Sequence, residues 1–167
     1  MRIAKMPVLM FLFFLLVWNI PYAQNQTDKG KGSTVRYDSA KAKAWGADDY
    51  GMKRYVMAFL KRGPNRPETP EKAKELQAAH LQNIERLAEE GKLVLAGPFL
   101  DNGELRGIYI FNVPSVEEAK KLTETDPAIQ AGSLIMELKE WYGSAALMAI
   151  NDLHKSIQKQ SVIESAK

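Results

Sequence analysis

The sequence predicts an α+β domain in which four strands and two helices run in the order β-α-β-β-α-β, with an extra C-terminal helix. Three observations predict it. A short apolar run, Tyr55 to Leu60, precedes a long helical pattern from Pro70 to Glu90. Asp101-Asn102-Gly103 lies between two further β-rich runs, as in a hairpin. Ser115 with Glu118 opens a second helix, after which Leu134 to Tyr142 reads as the last strand.

The chain has 167 residues, which suits one domain with terminal extension. Its first 23 residues have the three parts of a secretory signal: basic Arg2 and Lys5, the apolar run Val8 to Trp18, and a cleavage region ending at Ala23. A spanning helix needs about 20 apolar residues, and Asn19 and Pro21 close this run early. We therefore expect a secreted or periplasmic protein with no stable membrane anchor after cleavage. Gln24 to Thr34 is polar and glycine-bearing and reads as a tether. Within the polar linker 24–52, Asp38 to Trp45 suits a short helix stopped by Gly46, packing on the domain edge through Tyr37 and Trp45.

The domain proper is expected over 53–143. Tyr55 to Leu60 suits a buried strand, and Arg62-Gly63-Pro64-Asn65-Arg66-Pro67 ends it as a loop. Thr69 precedes Pro70 at the first helical position, where a missing N–H costs nothing. Leu76, His80, Ile84, Leu87 and Ala88 then fall on one helical face, and Gly91 stops the helix. Lys92 to Phe99 is the second strand and Leu105 to Val113 the third. Val116 to Glu124 is the second helix, broken at Asp126-Pro127 because a residue before proline disfavours the helical region. A loop or single turn reaches Gly132 before the fourth strand. This is the split βαβ, or ferredoxin-like, order. The remainder, 144–167, carries Leu147, Ile150, Leu153 and Ile157 at helical spacing, a stripe for packing or assembly, and frays from Ser161.

Composition narrows the chemistry. With no cysteine, disulfides, thiolate metal sites, cysteine nucleophiles and a lipoprotein anchor are excluded. Removing Arg2 and Lys5 takes the 23 basic residues to 21 against 20 acidic ones, a balance of +1. With no long basic run, no nucleic-acid partner is expected. The two histidines are far apart and without clustered acids, so no metal is expected. No P-loop, dinucleotide fingerprint or nucleophile elbow is present, and no cofactor is implied.

His154 sits beside the apolar stripe of the tail and reads as a solvated or partly packed helix residue. His80 lies in the middle of an apolar face, where leucine would pack better. It is either a satisfied core histidine or an imidazole facing a cavity, able to act as acid or base near neutral pH. Asp126 is the candidate carboxylate to orient it, although a turn initiator or helix stop alone explains the Asp126-Pro127 pair well. Ala96-Gly97-Pro98 permits a close backbone approach or is simply a strand exit. Arg62 and Arg66 flank a Gly-Pro loop, able to hold an anionic group or merely solvated.

The ordered motifs resemble the YciI-like (YCII-related) family of the dimeric α+β barrel superfamily. They are Tyr55-Val56-Met57-Ala58-Phe59-Leu60-Lys61-Arg62-Gly63-Pro64, His80-Leu81, Gly91 to Phe99, Gly107-Ile108-Tyr109-Ile110-Phe111, Glu117-Glu118-Ala119, Asp126-Pro127 and Trp141-Tyr142-Gly143. The resemblance implies a ferredoxin-like protomer that pairs its sheet with a second copy, a homodimer or higher homo-oligomer. It implies catalytic roles for His80 and Asp126, with Arg62, Gly97 and Pro98 as neighbours of a small-molecule ligand. The activity it implies is a lyase-like or other acid–base step (elimination, isomerisation or hydrolysis) on a small organic molecule. The alternative is a non-catalytic ligand-binding dimer of the same fold.

Overall fold

The longest strands lie beside each other at the middle and one edge of the sheet. In the computed structural model, which describes residues 35–162, β1 (Met52–Arg62) pairs along its whole length with β4 (Leu134–Ser144) and, on its other side, with β3 (Leu105–Phe111). β2 (Leu93–Pro98) pairs only with β3, so the sheet order is β2-β3-β1-β4, antiparallel throughout. That is the ferredoxin-like order, with β1 and β3 central. The expected signal segment 1–23, its cut after Ala23, the tether 24–34 and the end of the tail (163–167) lie outside the described residues.

Strand alternation divides the sheet into two faces. Val56, Ala58 and Leu60 of β1 point with Tyr109 and Phe111 of β3 into one core. The covering elements are α2 (Pro70–Glu89) and α3 (Val116–Thr123), through Ile84, Leu87, Ala119 and Leu122. Each fully buried side chain of this size stabilises the fold by about 1.5–3 kcal/mol relative to exposure. The opposite face carries a smaller cluster of Tyr55, Val94 and Ile110, packed against Met57, Trp141, Leu147 and Met148.

Capping follows the sequence closely. α1 (Ser39–Trp45) starts at Asp38, whose carboxylate accepts from Lys41 N, and stops at Gly46, which is left-handed at φ 68°. Thr69 caps α2 by accepting from Lys72 N, and Ser115 caps α3 by accepting from Glu118 N. Gly91, at φ 67°, supplies the left-handed turn into β2.

Several expectations are corrected. β1 begins at Met52 and runs on through Arg62, because β4 continues to supply ladder partners to both ends. The sheet therefore spans 52–144, one residue beyond the expected domain at each side. Tyr37 does not pack on the domain edge: it is 78% exposed, while Trp45 is half-buried and its carbonyl accepts from Lys53 Nζ. The single turn expected after Asp126 is present, as the one-turn helix α4 (Pro127–Gln130).

The tail begins with a 3-10 turn (Ala145–Ala149) and only then becomes α5 (Ile150–Ile157). The turn packs on the outer sheet face through Leu147 and Met148. α5 reaches the edge strand, where Asn151 Nδ2 donates to the Leu93 carbonyl at 2.8 Å. An edge strand left bare invites pairing with other chains, and the tail helps to cover it. The outer part of its apolar stripe is left uncovered by the described residues: Leu153 is 62% and Ile157 80% exposed.

Candidate active site

His80 sits at the middle of α2 because the helical period brings it to the sheet-facing side with Ile84 and Leu87. Asp126 is delivered by the break between α3 and α4. Its Oδ1 accepts from Ala128 N at 2.9 Å, which caps the one-turn helix, and the residue is fully buried. The helix-stop and pairing roles left open in the sequence are thus both filled by one side chain. Both its carboxylate oxygens lie 2.9 Å from His80 Nδ1.

Nε2 of the same ring is 3.2 Å from the hydroxyl of Tyr109, on β3. A carboxylate only accepts, so Nδ1 carries a ring hydrogen, and in the neutral ring Nε2 presents its lone pair to the Tyr109 O–H. In that form the chain is directed: Tyr109 donates to His80, and His80 donates to Asp126. The Tyr109 and His80 rings lie nearly parallel, 21° apart with centroids at 6.3 Å, and Phe111 meets the phenol ring edge-on at 5.8 Å. Burial pushes the Tyr109 hydroxyl well above the usual phenol range, and the nearby Asp126 charge adds to the shift.

A second polar network holds the same junction. Arg86 of α2 donates from Nη2 to Asn83 Oδ1 at 2.8 Å and to Thr125 Oγ1 at 2.9 Å. Thr125 immediately precedes Asp126, so this clamp ties α2 to the turn that carries the carboxylate. Asn83 is buried, and its Nδ2 has no hydrogen-bond partner among the described residues.

His80 and Tyr109 both line a cavity of about 680 Å³. Its walls are α2 through Leu81 and Ile84, and the edge strand through Ala96, Gly97 and Pro98. Asn151, His154 and Lys155 of α5 form a third side, so His154 faces this space as well as solvent. Gly107 is part of the lining; a Cβ there would lie 2.6 Å from the Gly97 carbonyl oxygen. The tight approach expected at Gly97 is therefore on the opposite strand, at Gly107, while a Cβ on Gly97 meets nothing within 4 Å.

Of the residues singled out from sequence, His80 meets Asp126 on its buried side and shares the cavity wall with Gly97 and Pro98, and Arg62 joins neither. Arg62 ends β1, where it is exposed and its Nη2 reaches the Asn102 carbonyl of the hairpin at 3.5 Å; it does not line the cavity. Arg66 is engaged elsewhere, donating to Gly63 O at 2.9 Å and to Ser133 O at 3.2 Å. Tyr109 and Asn83 were missed. Each carried a signal: Tyr109 is a hydroxyl between two isoleucines in a buried strand, and Asn83 stands three residues after His80 on the same helix. Among the described residues no group of three His, Cys, Asp or Glu side chains is placed to hold a metal.

The family model described as "YCII-related domain" matches residues 56–142, more than half of the chain. The chain belongs to the YCII-related family. The uncharacterized protein YjpA of Bacillus subtilis (strain 168) is 36% identical over 64 residues, which cover 38% of this chain and 73% of YjpA. A solved structure of 5-chloro-2-hydroxyhydroquinone dehydrochlorinase from Burkholderia phenoliruptrix, in complex with 2,5-dihydroxybenzoquinone, aligns with 23% identity and a TM-score of 0.40. That alignment covers 52% of this chain and 92% of the dehydrochlorinase. The YCII-related match ends before the tail, so α5, which forms one side of the cavity, lies outside the family domain.

Proposed function

We propose that this YCII-related protein is an exported acid–base enzyme of lyase, isomerase or hydrolase type acting on a small organic molecule, with the His80–Asp126 pair handling the proton. One observation carries the reading: a histidine with its tautomer fixed by a buried carboxylate stands on the wall of a cavity roomy enough for a small ligand. A packed core histidine needs no such opening.

The test is proton exchange in D2O. The protein is incubated with a panel of small hydroxyaromatic and oxo-acid compounds, and deuterium incorporation or product is followed by NMR. Turnover by the wild type that is lost in His80→Gln supports the reading. Compounds that bind and come back unchanged and undeuterated overturn it. That second outcome is the non-catalytic reading, in which the pocket only holds its ligand. It too has an observation in its favour, since the Tyr109 hydroxyl already satisfies the Nε2 lone pair.

The working form we propose is a homodimer built on the sheet face away from α2 and α3. Phe59 and Ile108 are half-buried there, and Ile135 is half-exposed. Light scattering reads the mass, and Ile135→Glu should shift it to the monomer. Export is tested by cell fractionation and by N-terminal sequencing of the mature chain.

A further inference from the structure

We propose that Tyr109, rather than His80, is the group that exchanges a proton with the ligand, and that His80 and Asp126 serve as its relay. The proposal rests on the acid–base reading above and names the atom through which it acts. The lone pair that a histidine base would use, on Nε2, is engaged by the Tyr109 hydroxyl at 3.2 Å. The other ring nitrogen is held by both oxygens of Asp126 at 2.9 Å. No ring nitrogen is left to meet a ligand directly. The phenol oxygen still has acceptor capacity while it donates to Nε2, and its residue lines the same cavity as His80.

The proton count closes along this chain. When a ligand C–H or O–H gives up its proton, the new bond forms at the Tyr109 oxygen. The hydrogen already on Tyr109 moves to His80 Nε2, breaking that O–H bond. The pair then rests as an imidazolium beside the Asp126 carboxylate, and the ligand holds the electron pair. Running the sequence backwards returns a proton to the ligand at another atom. At no stage does a free phenolate stand in the site, which matters because burial and the Asp126 charge both oppose one. Without His80 the same tyrosine would be a poor base; beside it, the charge goes to the imidazole. The edge-on contact with Phe111 helps to hold the phenol ring in place for this transfer.

The experiment uses the full chain and benzenesulfonyl fluoride, a small apolar reagent suited to a largely apolar cavity. Attack by the Tyr109 oxygen forms an O–S bond and expels fluoride, while the phenol proton passes to His80 Nε2. Peptide mass spectrometry locates the adduct. We expect labelling of Tyr109 that is at least about a hundred-fold slower in His80→Gln, the scale of a positioned general base, with labelling at the other tyrosines unchanged. An adduct on His80 in place of Tyr109, no adduct on Tyr109, or an equal rate in His80→Gln overturns the proposal. Should His80→Gln not fold, Tyr109→Phe provides the second arm. It frees Nε2, so carbethoxylation of His80 by diethyl pyrocarbonate should accelerate, and an unchanged rate overturns the proposal. The two readings also fail differently. If the acid–base reading is wrong, no compound turns over although Tyr109 still labels; if only this proposal is wrong, a compound turns over and Tyr109→Phe keeps that turnover.

Discussion

Both oxygens of the Asp126 carboxylate lie 2.9 Å from Nδ1 of His80, across a separation of 46 residues. The contact joins the middle of one helix to the break after another, and it fixes which ring nitrogen holds the hydrogen. Asp126→Asn tests that function with little change in shape. The amide nitrogen can now donate to Nδ1, which moves the ring hydrogen to Nε2. Long-range 15N–1H NMR should show the Nδ1–H tautomer in the wild type and the Nε2–H tautomer gaining population in the variant. The loss of a charged hydrogen-bond acceptor should lower stability by about 1.5–3 kcal/mol.

Removing the histidine is expected to cost more than a simple core truncation. His80→Leu leaves the fully buried Asp126 with only the Ala128 N–H. An uncompensated buried charge of this kind costs about 3–5 kcal/mol. Combining His80→Leu with Asp126→Asn removes the charge as well, so the two effects should fall short of additivity by about 1–3 kcal/mol. Urea unfolding of the four proteins in this cycle measures it; strict additivity would show that the pair is not coupled.

Tyr109 makes stability fall at high pH. Burial and the Asp126 charge raise its folded pKa above the ordinary value of 10.0. A raised folded value means that the folded protein keeps a proton the unfolded chain has lost. Its contribution is whole below about pH 10 and declines as pH rises beyond it. Tyr109→Phe lacks that term. The stability difference between wild type and variant should therefore shrink by about 1.4 kcal/mol per pH unit above about pH 10. Denaturant unfolding at stepped alkaline pH reads the slope, and parallel curves would contradict it.

Two glycines on neighbouring strands should respond in opposite ways. Gly107→Ala drives a methyl to within 2.6 Å of the Gly97 carbonyl oxygen, and the obstacle is backbone. The expected cost is about 1–3 kcal/mol of strain. Gly97→Ala meets nothing within 4 Å and should leave stability within about 0.5 kcal/mol of the wild type. Because Gly97 lines the cavity, its variant should instead weaken ligand binding. Thermal melts and ligand titration separate the two.

Much of the fold was legible along the chain because its signals are local. Asp38, Thr69 and Ser115 cap their helices through contacts with residues three positions on. The hairpin glycine and the apolar runs likewise announce their elements without distant partners. The misreadings are where a long-range partner decides. Arg62 reads as a loop residue until Leu134 of β4 pairs with it. Tyr37 has an aromatic ring suited to packing, but no surface among the described residues covers it.

The site divides in the same way. Local pattern alone puts a histidine on the apolar face of the first long helix and an Asp-Pro step at the end of the second. Periodicity and the constraint proline puts on its neighbour are enough for both. Long-range packing, in contrast, sets Tyr109 on the far side of the imidazole and makes the tail one side of the cavity. Strand alternation places Tyr109 on the inner face, but which helix residue lies above it depends on how α2 crosses the sheet. Likewise the amphipathic stripe foretells a helix, while the turn at Ala145–Ala149 and the Asn151–Leu93 bond set where it lies. Those are distances between segments far apart in the chain, fixed by packing the whole domain at once.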